Sequence, residues 1–182
     1  MLGKLFEWWA ARSNPRFHAF REAKQRYMGF LHANGVSFES MSEDLQRRAR
    51  DDAGLKEAAA HFREAIRLSR EAGPGCIRDV AVGEYQLGML LHLQGAGSEA
   101  AGHLRAALGV IEDLPQQDGT EQSVASGCYY HLGLIALRSG DTAAARTMIG
   151  KSMKIDQALN DASGVRMCQS ALEKCNQAEG LA

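Results

Sequence analysis

The chain has 182 residues, enough for one ordinary domain or a short repeat array and too few for two separate enzyme domains. Hydrophobic residues make up 45% of the chain and charged residues 24%, a balance that excludes wholesale disorder. The formal net charge of −1 lacks the basic excess of proteins that wrap nucleic acid, so no nucleic-acid partner is expected. Alanine, leucine, glutamate and arginine are abundant beside only 3 prolines, which predicts an all-α fold.

The first predicted element is a short amphipathic segment over residues 1–14. Its two adjacent tryptophans cannot both be buried by one helical stripe, and so short a helix needs something packed on it. Three roles stay open: an in-plane anchor in a membrane or against a partner, a cap over the repeats, or a surface for self-association into a homo-oligomer. The candidate anchor residues are Leu2, Leu5, Phe6, Trp8 and Trp9.

A second helix is predicted over residues 15–35. Asn14 is a suitable N-cap, Pro15 suits the first helical position, and Gly35 supplies a left-handed stop. From about residue 40, breaks at glycine, proline and aspartate separate further helices, with Ser98 and Asp141 at predicted N-cap positions. These helices are predicted near 41–53, 55–72, 77–94, 98–113, 121–139, 142–159 and 163–177.

The segment from Tyr85 to Gly95 recurs from Tyr130 to Gly140, 45 residues later. A weaker copy lies 42 residues before the first and begins near Leu45. A repeated pair of helices predicts a solenoid, in which each hairpin buries its apolar face against the next. The matched positions are Tyr85, Leu87, Gly88, Leu91, Gly95, Ala100, Leu104 and Ala107 in one copy, and Tyr130, Leu132, Gly133, Ala136, Gly140, Ala145 and Ile149 in the next.

This order of large apolar residue, Leu-Gly, glycine turn, alanine and second large apolar residue resembles the tetratricopeptide repeat (TPR). The long spacing is similar to that of the kinesin-light-chain-like variety. The resemblance implies a right-handed α-solenoid of about three TPR-like helical hairpins over residues 40–159. A capping helix and tail over residues 160–182 would follow the array, and an N-terminal helical extension would precede it.

In TPR arrays the first helix of each hairpin lines a concave groove, and the resemblance implies such a groove here. The groove would be apolar and aromatic and lacks the charged clamp for an acidic chain end, so a partner helix or an apolar peptide is expected. The alternative for Tyr85 and Tyr130 is that they only pack between repeats. The resemblance implies these groove residues: Val82, Tyr85, Met89, His92, Leu93, Gly127, Tyr130, Leu134, Leu137 and Arg138.

The sequence contains no recognisable catalytic or metal-binding motif. The six histidines include no H-x-x-x-H or H-E-x-x-H pair, and no glycine-rich loop follows a predicted strand. No enzyme activity, metal or cofactor is therefore expected. The predicted function is a non-enzymatic scaffold or adaptor that binds a partner protein, alone or within a larger assembly. The alternative is a peripheral membrane-associated assembly factor anchored by the N-terminal helix.

The predicted compartment is the cytoplasm, with peripheral attachment to a membrane left open. No window approaches the roughly 18–20 apolar residues of a membrane span, and the N-terminus lacks a secretory signal pattern. The four cysteines are isolated from one another in the sequence, which is typical of buried thiols in a reducing environment.

Overall fold

A computed structural model describes residues 14–36, 38 and 41–180, and these form eight α-helices without a strand among them. The all-α prediction is confirmed. Residues 1–13 of the predicted N-terminal segment, with the candidate anchor residues Leu2, Leu5, Phe6, Trp8 and Trp9, lie outside the described residues. The helices are α1 (Pro15–Asn34), α2 (Glu43–Asp51), α3 (Ala53–Glu71), α4 (Ile77–Leu93), α5 (Gly97–Glu112), α6 (Gly119–Arg138), α7 (Thr142–Ala158) and α8 (Ala162–Ala178).

Local capping explains most of the helix boundaries. The side chain of Asn14 accepts the backbone N–H of Arg16 at the start of α1, and Gly35 ends that helix with φ of 53°. Asp141 caps α7 by accepting the N–H of Ala144, as predicted. Ser98 is not a cap, because α5 begins at Gly97 and Ala96 precedes it without any side-chain acceptor.

The two repeat copies make equivalent contacts inside their helix pairs, α4–α5 and α6–α7. A Cβ added to Gly88 would lie 2.8 Å from Cγ of Leu104, and one added to Gly133 would lie 2.5 Å from Cγ1 of Ile149. Leu104 and Ile149 are fully buried. The repeated glycines therefore let each helix approach its partner closely enough for a large side chain of that partner to fill the seam.

The helix that packs along α3 is α1, which differs from the predicted pairing of helices 41–53 and 55–72. The rings of Phe20 and Phe62 meet edge-on with centroids 5.6 Å apart, and Arg26 pairs with Glu57 at 2.9 Å. The two helices run antiparallel, since Arg16 at the start of α1 pairs with Asp79, beyond the end of α3. α1 is the longer helix and buries a full stripe, whereas α2 has nine residues.

From α3 onward each helix packs on the next in the chain, and α4 also contacts α6, which in turn contacts α8. α2 is fixed at the turn after α4, where Gln94 Nε2 donates to the carbonyl of Ala49 and Arg50 Nε donates to the carbonyl of Gln94, both at 3.2 Å. None of the described helices is both long and apolar enough to cross a membrane.

Candidate functional site

The predicted groove residues do not form one open surface. His92, Leu93, Tyr130 and Leu134 are each at most 6% exposed, so the prediction that they line an accessible groove is corrected. They are buried because they belong to the packed interior between helices and beneath the segment that joins α1 to α2. The remaining predicted residues keep some exposure; they are Val82, Tyr85, Met89, Gly127, Leu137 and Arg138.

Phe38, from the connection between α1 and α2, lies between α4 and α6. Its ring centroid is 4.7 Å from that of His131 on α6, nearly perpendicular to it, and 5.8 Å from that of His92 on α4. We call this place the α4–α6 cleft, defined by Tyr85 and His92 on one side and Tyr130 and His131 on the other. The cleft therefore already holds an aromatic side chain of the chain itself.

His92 and His131 form a buried, neutral pair at the base of the cleft. Their Nδ1 atoms are 3.1 Å apart, so one ring must donate its proton and the other must accept it. Burial, then the neighbouring His131 and Arg138, lowers the pKa of His92 to about 2. Burial lowers the pKa of His131 to about 4. The Nε2 atom of His92 has no hydrogen-bond partner among the described residues.

Tyr85 closes the other end of the cleft by packing against a glycine. A Cβ added to Gly127 would lie 2.6 Å from Cζ of Tyr85, so only glycine leaves room for this ring on α6. Beside this contact lies a pocket of about 200 Å³ that extends to Met167 on α8. Tyr85 is thus part of the packing between helices, and one edge of it still borders an open pocket.

A carboxylate lies at the floor of that pocket. Asp156 accepts a hydrogen bond from the hydroxyl of Ser126, and the thiol of Cys168 lies 3.7 Å from the same carboxylate. Ser126 is also 2.8 Å from the hydroxyl of Ser152, so these side chains join α6, α7 and α8. Because the proton of Ser126 points to a carboxylate rather than to a histidine base, this cluster connects helices and is not arranged as an activated nucleophile.

Sequence reasoning missed Phe38 and His131. Phe38 is the single aromatic residue between the predicted helices ending at residue 35 and beginning at residue 41, which is a usable signal. His131 directly follows the repeat position Tyr130 but is not a repeat position itself. The residue that matches His92 in the other copy is Leu137, so the repeat does not mark His92 as special. Their pairing depends on the approach of α4 to α6, which a single sequence does not encode locally.

No protein-family model and no curated protein matches the chain. The geometry defines a protein of neighbouring, partly repeated helix pairs with a neutral aromatic cleft between α4 and α6. Among the residues that the structure describes, no group of three or more His, Cys, Asp or Glu side chains could hold a metal ion.

Proposed function

We propose that the protein is a non-enzymatic, TPR-like scaffold that binds an apolar segment of a partner polypeptide in the α4–α6 cleft. The observation that carries the proposal is the position of Phe38, which lies against His92 and His131 in that cleft. A cleft that accepts a phenylalanine from a short inter-helix connection has the shape and chemistry to accept one from another chain.

The repeat geometry supports this function. Gly88 against Leu104 and Gly133 against Ile149 make equivalent contacts in two successive helix pairs, as a TPR-like array requires. α4 contacts α6, and α6 contacts α8, so the first helices of these units neighbour one another. In a right-handed solenoid such neighbours would line one concave surface, with the cleft as part of it.

The chemistry of the cleft favours a neutral, aromatic or large aliphatic anchor in the partner. The two histidines are uncharged at neutral pH because burial lowers the pKa of each. The rings of Tyr85 and Tyr130 both face His131, at centroid distances of 6.3 and 5.6 Å. An aromatic anchor would form edge-to-face contacts here, as Phe38 does.

Phe38 and a partner would compete for the same place. Phe38 is partly buried, and its removal from the cleft would cost about 1–2 kcal/mol. A partner that displaces it would bind roughly 5- to 30-fold more weakly than it binds a chain without this side chain. Competition with Phe38 therefore lowers the affinity of the cleft for a partner.

The direct test uses the segment of the chain itself as a probe. A fluorescent peptide with the sequence of residues 34–42 is titrated into the Phe38→Ala variant and into the unmodified protein. We expect saturable binding to the variant, weaker binding to the unmodified protein, and no binding of a control peptide with alanine at position 38. Equal binding of both peptides, or binding of neither to the variant, would contradict the proposal.

A photo-crosslinking amino acid at Met89, beside the cleft, then identifies partners in cell extract. The matched control carries the same amino acid at Ala106, an exposed position on α5. Adducts specific to Met89 should strengthen when Phe38 is also replaced by alanine. The same adducts from both positions, unaffected by Phe38, would show that the cleft is not the binding surface.

A further inference from the structure

A second pocket, outside the cleft, lies where α4 and α6 end and α5 begins. It encloses about 490 Å³. No carboxylate side chain lines it, and its lining includes two arginines, which is why we call it the arginine pocket. The lining residues that carry the reasoning below are Gln46, His92, Gly97, Ser98, Arg105 and Arg138.

The arginines at this pocket lack carboxylate partners, in contrast to most of the other described arginines. Ten described arginines have an Asp or Glu oxygen within 4 Å. Among the described residues, Arg50, Arg105, Arg138 and Arg166 form no such pair. Arg105 and Arg138 line the pocket, and Arg50 reaches Gly95, another lining residue, where its Nη2 lies 3.2 Å from the position of an added Cβ. Positive charge is thus concentrated here without an internal counter-charge.

Two buried polar atoms at the same pocket have no hydrogen-bond partner within the described structure. They are Nε2 of Gln46 and Nε2 of His92, a side chain that is 1% exposed. The amide nitrogen of Gln46 can only donate, and Nε2 of His92 carries a proton whenever Nδ1 of His131 donates to Nδ1 of His92. A buried donor without an acceptor costs about 1–3 kcal/mol, which an acceptor in the pocket would recover.

The start of α5 adds further donors. Six of the described helices have an Asn, Ser or Asp side chain that accepts a first-turn N–H, whereas Ala96 offers none to α5. Gly97 and Ser98, in this uncapped turn, line the pocket. The acidic residue of the same turn, Glu99, pairs with Arg63 at 2.9 Å instead. A helix start of this kind favours a bound anion through its free N–H groups and its dipole.

We propose that the arginine pocket binds the oxyanion group of a small molecule, a phosphate or a carboxylate. The guanidinium groups of Arg105 and Arg138 supply charge and paired donors, and Gln46, His92 and the first turn of α5 supply directed N–H groups. The volume exceeds that of a lone phosphate, and Ala101 and Ile135 give the pocket an apolar side for the organic part of such a molecule.

The test is a titration of the ¹⁵N-labelled protein with inorganic phosphate and, separately, with acetate, each against sodium chloride at matched ionic strength. We expect saturable shifts of the Gly97 and Ser98 amides with one or both oxyanions and not with chloride. Tighter saturation by phosphate would identify a phosphate site, and tighter saturation by acetate a carboxylate site. Absence of saturation by either, or the same response to chloride, would overturn the proposal.

Matched variants locate the effect. The double variant Arg105→Gln/Arg138→Gln should raise the dissociation constant at least tenfold, whereas Arg166→Gln, which removes an unpaired arginine on α8, should leave it unchanged. All three residues are exposed, and the remaining amide resonances check that the fold is kept when the contact of Arg138 with the carbonyl of Met41 is lost. Equal weakening by Arg166→Gln would reduce the observation to general electrostatics and contradict a built site. The assay uses small anions and no peptide, so a failure of this proposal can be distinguished from a failure of peptide binding in the cleft.

Discussion

Gly133→Ala is the substitution that most directly tests the repeat geometry. The added methyl group would lie 2.5 Å from Cγ1 of Ile149 and 3.3 Å from the carbonyl oxygen of Ala145. Ile149 is fully buried, so neither it nor the backbone of α7 can yield without disturbing the seam between α6 and α7. Overpacking of this kind costs about 1–3 kcal/mol.

The same substitution also removes a flexible residue from a helix, which stabilises by up to about 1 kcal/mol. A control substitution that gives only this stabilisation, without overpacking, is therefore needed. Gly109→Ala, in the interior of α5, places its methyl group where no atom lies within 4 Å. We expect Gly109→Ala to raise the free energy of unfolding by about 0.5–1 kcal/mol. The free energy of unfolding of Gly133→Ala should be about 1–3 kcal/mol lower than that of Gly109→Ala.

Urea denaturation followed by circular dichroism measures both variants against the unmodified protein. Adding Ile149→Ala to Gly133→Ala should recover part of the overpacking loss, because it removes the atom that clashes. That coupling, measured in a double-mutant cycle, separates a specific contact from a general effect on α6. If Gly133→Ala were as stable as Gly109→Ala, the close approach of α6 and α7 at this residue would be wrong.

Three further predictions concern the cleft and the cysteines. Because the pKa of His131 is lowered to about 4 from 6.5, this residue takes up a proton at a higher pH in the unfolded chain than in the folded protein. The stability contributed by keeping His131 neutral is fully present above pH 6.5. It is lost as the pH falls from 6.5 toward 4, and the loss is on the order of 3 kcal/mol. Urea midpoints across this range should fall more steeply for the unmodified protein than for His131→Gln, and an unchanged slope would contradict a buried, neutral His131. Phe38→Ala should lower the free energy of unfolding by about 1–2 kcal/mol while preserving the helical spectrum; no change in the urea midpoint would mean that Phe38 does not occupy the cleft in solution. A thiol reagent should modify one cysteine, the partly exposed Cys76, in the folded protein, since Cys128, Cys168 and Cys175 are buried; rapid modification of all four, counted by mass spectrometry, would contradict this burial.

Local signals predicted the helices, because helix ends are set by a few adjacent residues. Asn14 with Pro15, Gly35 and Asp141 all act where the sequence places them. The repeat also singled out Gly88 and Leu104 as matched positions, and the structure shows that they contact each other inside the α4–α5 pair. The prediction of Ser98 as an N-cap was wrong, because α5 starts at Gly97, two residues earlier than a cap at Ser98 would allow.

Contacts between distant segments could not be predicted in this way. The pairing of α1 with α3 passes over α2, and nothing in the spacing of either helix distinguishes that arrangement from a hairpin of α2 with α3. The insertion of Phe38 between α4 and α6 could not be predicted from local sequence either, because it depends on the path of a short connection. It also explains why predicted groove residues such as His92 and Leu134 are buried: the chain supplies its own occupant for the place where an open surface was expected.

His92 joins the two candidate sites and gives them a physical link. Its Nδ1 faces His131 in the α4–α6 cleft, whereas the side chain also lines the arginine pocket, where its Nε2 has no partner in the described structure. An oxyanion accepted by Nε2 requires the tautomer with a proton there, which makes Nδ1 of His92 the acceptor and Nδ1 of His131 the donor. Binding in the pocket would therefore fix the direction of the hydrogen bond between these two rings, which lie beneath Phe38.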